Sequence, residues 1–328
     1  MISVWDFDFI KYTVGAACEK RSILVVHNTS GNEKKFKTRT EFHGHYLKKE
    51  SGWLGEQNKS RETAWSADDF TITDVQEPEP ISFALQTVKN YINKINACIG
   101  ADSYYGYIGK GDSWRVERST ILKYKGTRSG VMKPLLLDDI ENYILKHHAG
   151  EVVRGLEADD QCVMDCTADQ ELCLIGVDKD YMGTTLKLFN PDKMEEPLRI
   201  SGLGSLFIDD KGKVRGSGRK FFYFQVMSSD TSDNYAANSA TDKKWGDKGA
   251  YSLLVNCKSD KECWQALVKG YKVLYESPCT VKGWRGEEIF IDWLYMLDEN
   301  VQMAHMLREE GDFLDVKKLL NKLGVDAE

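Results

Sequence analysis

Glu157-Ala158-Asp159-Asp160 packs three carboxylates into four residues, and that constrains this chain more than anything else in it. Like charges this close resist ionisation unless a cation neutralises them. The run Glu151-Val152-Val153-Arg154 upstream has the β-branched character of a strand. Downstream, Gln161 to Ala168 reads as a helix with Cys162, Val163 and Cys166 on its apolar positions. The acids therefore fall where a strand hands over to a helix N-terminus, a place that favours negative charge. Taken alone, the stretch is equally an acidic helix cap. The rest of the chain decides between the two.

The same arrangement recurs. Ile2 to Trp5 reads as a short strand running into Asp6-Phe7-Asp8, with a helix from Phe9 to Ala17. Ile95 to Ala101 reads as a second buried strand stopping at Asp102, and Leu172 to Val177 as another stopping at Asp178-Lys179-Asp180. Strands alternating with helices predict a mainly parallel central sheet flanked by helices, an α/β fold. In such a sheet the carboxyl ends of the strands line one edge, where ligands bind. Asp6, Asp102, Glu157 and Asp178 are expected to converge there. An all-carboxylate cluster calls for a hard divalent cation, Mg²⁺ or Mn²⁺.

Between the second and third expected strands, Ser103 to Pro134 carries seven Lys/Arg against two acids, interleaved with Tyr104, Tyr105, Tyr107, Trp114 and Tyr124. Lysines and arginines bind phosphate and aromatic rings stack on bases, so the stretch reads as a substrate clamp for nucleic acid. Residues 22 to 80, with an expected hairpin from Ile23 to Asn28 and Phe36 to Phe42, read as an insertion. A further hairpin is expected within 201–225. Asp230 and Asp233 share a face if they lie on one helical turn. Trp245 to Tyr251 reads as a turn entering a helix whose amides, beside Lys248, can hold a phosphate. The remainder is mostly helical.

Composition sets the limits. The net charge of −7 excludes a uniformly basic coat but not a local basic face. Eight cysteines without a Cys-x-x-Cys pair suit reduced thiols. No apolar run is long enough to span a bilayer and no signal-peptide pattern opens the chain, so a cytoplasmic protein without membrane contact is expected.

Together these motifs resemble the 5′-nuclease (PIN-like) superfamily, specifically its bacteriophage 5′→3′ exonucleases and flap endonucleases. Asp6, with Asp8, matches the first-strand acid; Asp102 looks like the second-strand aspartate. Trp114-Arg115 and Tyr124-Lys125-Gly126-Thr127-Arg128, followed by Lys133-Pro134, are similar to the family's basic arch. Glu157-Ala158-Asp159-Asp160, Asp178-Lys179-Asp180 and Asp230-Thr231-Ser232-Asp233-Asn234 match its acidic signatures, although Ser229 stands where the family usually has glycine.

The resemblance implies a nuclease domain over 1–225, with 22–80 as a flap, 103–134 as the arch and 201–225 as a hairpin. It implies a helical domain over 226–328 with a helix–hairpin–helix-like element. Two Mg²⁺ or Mn²⁺ ions are implied, the first held by Asp6, Asp102, Glu157 and Asp159. Asp160, Asp178, Asp180, Asp230 and Asp233 would hold or orient the second. Lys125, Arg128 and Asp160 take the catalytic roles. Lys110, Trp114, Arg115, Arg118, Lys123, Tyr124, Lys133 and Lys248 are the implied DNA contacts. The implied substrate is duplex DNA with a 5′ end or flap, or the RNA strand of an RNA–DNA hybrid, alongside replication proteins in a host cytoplasm. Two other readings are a catalytically inactive nucleic-acid-binding protein on the same fold and a related PIN-type ribonuclease.

Overall fold

The computed structural model describes residues 1–325 of the chain. It divides into two compact units. One comprises Met1–Phe9, Tyr91–Met132 and the chain from Tyr143 on; the other comprises Ile10–Asn90 and Lys133–Asn142.

The first unit is built on a six-stranded sheet, in the spatial order Gly150–Gly155, Ser103–Ser113, Ile2–Asp6, Cys173–Ile175, Lys187–Phe189, Leu198–Arg199. The first five strands are parallel and the last is an antiparallel edge. Register brings Asp6 opposite Tyr107 and Tyr107 opposite Glu151, so the carboxyl ends of these strands share one edge. The helix Ala158–Ala168 packs Ala158, Cys162, Val163 and Cys166 against Val4, Leu174 and Leu188. A second cluster joins the helices Arg219–Met227, Asp260–Leu274 and Trp293–Ala304 around Tyr271, Trp264 and Met296.

Three expectations need correction. Ile95–Ala101 is not a strand: Ile81–Ile99 is one helix whose buried Ala84, Val88, Ile92 and Ile95 recur every three or four residues. The strand instead begins at Ser103, where the aromatic run Tyr104-Tyr105-Gly106-Tyr107-Ile108 suits a sheet. Ser103 to Pro134 is consequently not an extended clamp, because its first third is a core strand. Finally, a boundary at 225/226 would cut the helix Arg219–Met227, and one apolar cluster runs from Leu206 through Val325. The C-terminal helices belong to the same unit as the sheet.

The second unit has a three-stranded antiparallel sheet, Glu33–Phe36, Glu19–His27 and Phe70–Pro78. Its hairpin turns at residues 28–32 as expected. The return strand ends at Phe36, and Arg39–His43 is a short helix capped by Thr38. Phe36, Phe42, Phe70, Ile23 and Val25 form a core of its own, with Trp53 and Trp65 against it.

Sheet closure depends on Gly106, where a Cβ would lie 2.2 Å from the Trp5 carbonyl oxygen and 2.8 Å from the Phe7 ring. Gly106→Ala is expected to cost more than about 2 kcal/mol, since overpacking against backbone cannot relax. Urea unfolding of the two proteins at equal slope checks it.

Candidate metal centre

The acid edge is assembled from four separated stretches of the first unit. Asp6 ends the first strand, buried. Its Oδ2 accepts from the Tyr181 hydroxyl (3.0 Å) and its Oδ1 from the Asp8 amide (3.0 Å). Asp8 Oδ2 in turn accepts from the Gly109 amide at 3.2 Å, which ties the end of the second strand to the first. Burial, then the charge of Asp8, pushes Asp6 up to about 7.

Glu157 caps the helix Ala158–Ala168, with Asp159 and Asp160 in its first turn. These three acids are distinguished by their partners. Asp160 is fully buried and its oxygens are saturated. Oδ1 accepts from Arg115 Nη2 (2.8 Å) and the Leu307 amide (3.1 Å); Oδ2 accepts from Arg115 Nη1 (2.8 Å) and Trp114 Nε1 (2.9 Å). Glu157 accepts from Arg115 Nη1 (2.7 Å) and the Tyr124 hydroxyl (2.9 Å) and pairs with the Lys125 ammonium. Burial would raise it, but the charges of Arg115 and Lys125 outweigh that and hold it below the ordinary glutamate range. Asp159 has neither cation in contact; burial, then Glu157 and Asp160, drives it well above its ordinary value.

The second cluster brings Asp180, Asp230 and Asp233 together, with carboxylate oxygens within 4.8 Å of one another. Asp178 sits beside them, its Oδ1 accepting from the Asp180 amide at 2.9 Å. Asp230 and Asp233 are not on a helix: the short pair Ser229–Asp230 and Tyr235–Ala236 makes a tight hairpin, and Asp230 Oδ1 accepts the amides of Ser232 (2.8 Å) and Asp233 (3.1 Å). Burial opposes ionisation of Asp230, but the Lys179 ammonium 2.7 Å away holds it below the aspartate range. Asp180 is raised well above its ordinary value by burial and then by Asp178, and Asp233 is raised by burial. Gln225 Nε2 donates to Asp180 at 2.5 Å.

The two clusters meet at one hydroxyl. Tyr124 lies 2.9 Å from Glu157 and 3.1 Å from Asp233. One hydroxyl proton serves one carboxylate at a time, so Tyr124 fixes the spacing of the clusters without satisfying both. Lys125 beside it adopts a left-handed backbone (φ 55°) and donates its amide to the Asp233 carbonyl at 2.9 Å. Arg128 Nη2 reaches Asp233 Oδ1 at 3.0 Å, with half its side chain exposed.

Several expected site residues lie elsewhere. Asp102 is on the opposite, amino-terminal edge of the sheet, exposed and paired with the Met1 amine, because the strand starts after it rather than before it. At the carboxyl end of that strand the acid is Asp112, which is exposed. Trp114, Arg115 and Tyr124 are buried among the acids and leave no face for DNA. Lys123 and Arg118 are exposed over the rings of Trp284 (5.4 Å) and Phe313 (4.1 Å). Lys248 is exposed in the first turn of Asp247–Leu254, Lys110 lies on the strand Ser103–Ser113, and Lys133 is exposed in the second unit. Sequence reasoning missed Tyr181, Lys179 and Gln225. Only Lys179 carried a signal, a lysine between two acids.

No family model matches the sequence, and neither does any curated protein. Among solved structures, the chain is similar to the phage T5 5′-exonuclease with bound zinc: 14% identity, 73% of this chain, 88% of that one, TM-score 0.43. It is also similar to a phage T5 flap endonuclease in a pseudo-enzyme-product complex with DNA and metal ions: 14% identity, 74% of this chain, 91% of that one, TM-score 0.38.

Two outcomes follow from the charges. Asp160→Asn leaves Arg115 buried with half its bidentate partner, so it should cost about 3 kcal/mol in urea unfolding without metal. Asp6, protonated to about 7 in the folded chain but only to about 3.9 unfolded, makes folding less favourable as pH rises between those values, and no further above the higher one. In EDTA the melting temperature should therefore fall from pH 5 to pH 7, and added Mg²⁺ should restore more of it at pH 8 than at pH 5.

Proposed function

We propose that this chain is a divalent-metal-dependent nuclease that hydrolyses phosphodiester bonds of DNA from 5′ ends, as a 5′→3′ exonuclease and at 5′ flaps. The observation that carries the reading is the acid edge, where carboxylates gathered from four stretches are shifted up or down by the balance of burial, neighbouring acids and the cations Arg115, Lys125, Arg128 and Lys179. Asp6, Asp159, Asp180 and Asp233 are raised because burial and neighbouring acids outweigh any cation they have. The donor set is entirely carboxylate oxygen, which fits Mg²⁺ or Mn²⁺.

Asp6, Asp8, Glu157 and Asp159 would hold one ion and Asp178, Asp180, Asp230 and Asp233 a second. Such ions activate a water and neutralise the leaving oxygen of a phosphodiester. Asp160 stands with Glu157 and Asp159 in this acid group, and its bonds to Arg115, Trp114 and the Leu307 amide orient the helix that carries them. Tyr124 sets the distance between the two groups. Lys125 and Arg128 hold positive charge beside Glu157 and Asp233, where a phosphate sharing those carboxylates' cations would meet them. Charge placed there in advance stabilises the more negative transition state. Phosphodiester hydrolysis of this kind does not depend on the sugar, and the RNA strand of an RNA–DNA hybrid is a second substrate to test.

The test is cleavage with Mg²⁺ and with EDTA of 5′-labelled linear duplex, a 5′ flap, closed circular duplex and an RNA–DNA hybrid. Short products from the 5′ end in Mg²⁺ alone, with the circle intact, are expected. Asp159→Asn should melt higher than the parent in EDTA, because it removes a repelling charge, yet lose cleavage by at least about a hundredfold. Lys125→Ala should lower kcat by roughly a hundredfold with little change in KM. Cleavage of the circle at the rate of the linear duplex would overturn the requirement for a 5′ end.

A further inference from the structure

The second unit carries a basic stretch of its own. In a chain of net charge −7, residues 34–49 hold six Lys/Arg (Lys34, Lys35, Lys37, Arg39, Lys48, Lys49) and one acid, Glu41. Lys35 and Arg39 are spent on Glu77 and Asp74 of the neighbouring strand. Lys37, Lys48 and Lys49 are exposed and make no salt bridge among the described residues.

The stretch ends in a small closed loop. The Lys48 amide donates to the His45 carbonyl (2.8 Å) and the Gly52 amide to the Lys49 carbonyl (3.2 Å). Where the loop closes, the backbones touch: a Cβ on Gly52 would lie 2.0 Å from the Gly44 nitrogen. Both ends are anchored in aromatic packing, since Phe42 is fully buried and stacks on Trp53 at 5.9 Å. On this fixed support sit Tyr46 and Leu47, each 76% exposed, the most exposed large apolar side chains of the described residues. The His45 ring lies 4.5 Å from that of Tyr46.

An exposed apolar pair rimmed by polar residues is the kind of surface a partner covers. What covers it is indicated by the charge: a tyrosine and histidine face flanked by uncommitted lysines fits unpaired bases on the rings and phosphates on the ammonium groups. We propose that the loop Gly44–Gly52 binds single-stranded nucleic acid, with Tyr46 as the stacking platform and Lys48 and Lys49 on the backbone. The substrate class rests on the nuclease reading; the surface itself lies outside the acid edge and uses none of its residues.

The experiment is fluorescence anisotropy of a fluorescein-labelled oligo-dT strand with the full chain in EDTA, across a range of salt. Tyr46→Ala is expected to weaken binding about tenfold and Tyr46→Phe to leave it unchanged. Lys48→Ala with Lys49→Ala should flatten the salt dependence by roughly 0.7 per lysine in the log–log slope. Both changes are at exposed positions, so circular dichroism and melting temperature should match the parent and separate a lost contact from a lost fold. Parent-like affinity in both variants would overturn the proposal, and would leave the nuclease reading standing if Mg²⁺-dependent cleavage is intact. Tyr46-dependent binding without cleavage in Mg²⁺ or Mn²⁺ would support the loop and sink the nuclease. Association with phosphatidylserine vesicles, lost in Tyr46→Ala while strand binding persists, would replace nucleic acid by an anionic membrane surface.

Discussion

The pairing of Arg115 with Asp160 is the interaction on which the acid edge depends. Burying a guanidinium and a carboxylate costs several kcal/mol each unless their hydrogen-bonding capacity is filled. Here it nearly is. Asp160 receives four donors, while Arg115 also reaches Glu157 and, at 2.6 Å, the carbonyl of His305. One ion pair thus ties together the helix Trp114–Arg118, the helix Ala158–Ala168 and the segment His305–Leu307. It also places a fixed positive charge under a helix N-terminus that would otherwise carry three acids against one another.

That arrangement separates acids that look equivalent in a motif. Asp160 is held by Arg115, Trp114 and the Leu307 amide. Against burial, Glu157 is held below its ordinary range by Arg115 and then Lys125, and Asp230 by Lys179. Asp6, Asp159, Asp180 and Asp233 are the acids whose ionisation burial and like charge oppose. Two lysines and two arginines cannot offset so many carboxylates, and the deficit falls at the two places where acids from different strands meet. A divalent cation suits such a deficit.

The acid edge was legible because it follows from two simple regularities, apolar runs and the acids that end them. Asp6, Glu157 and Asp178 lie at the strand ends the pattern indicated. Asp102 shows where that reasoning fails. Ile95-Asn96-Ala97-Cys98-Ile99 is apolar enough for a buried strand, but it is the last turn and a half of a long helix, and a short apolar run does not distinguish the two. The tyrosines after it have the composition of base-stacking groups, whereas Tyr105 and Tyr107 both donate to Asp165 on the helix Ala158–Ala168. Aromatic residues beside cations carry the same composition in a core as on a binding face. Burial separates them, and burial of Trp114, Arg115 and Tyr124 comes from the C-terminal segment, far away in sequence.

The insertion makes the opposite case. Residues 22–80 were legible as something added, yet nothing in their pattern announced a separate core, because its aromatic residues are spaced irregularly: Phe36, Phe42, Trp53, Trp65 and Phe70. A unit with its own core can interrupt a sheet at little cost, since closing a long loop grows only slowly dearer with length and an ordered insertion has no loop entropy left to lose. The strands on either side show this, for Ile2 pairs with Ser103 and Asp6 with Tyr107 in unbroken register. The sheet is therefore indifferent to what was inserted. Its acid edge constrains Asp6, Glu157 and Asp180 through burial and charge, while the surface of the second unit is constrained only by its own fold. Exposed Tyr46 and Leu47 on a loop closed by two glycines are not required by that fold.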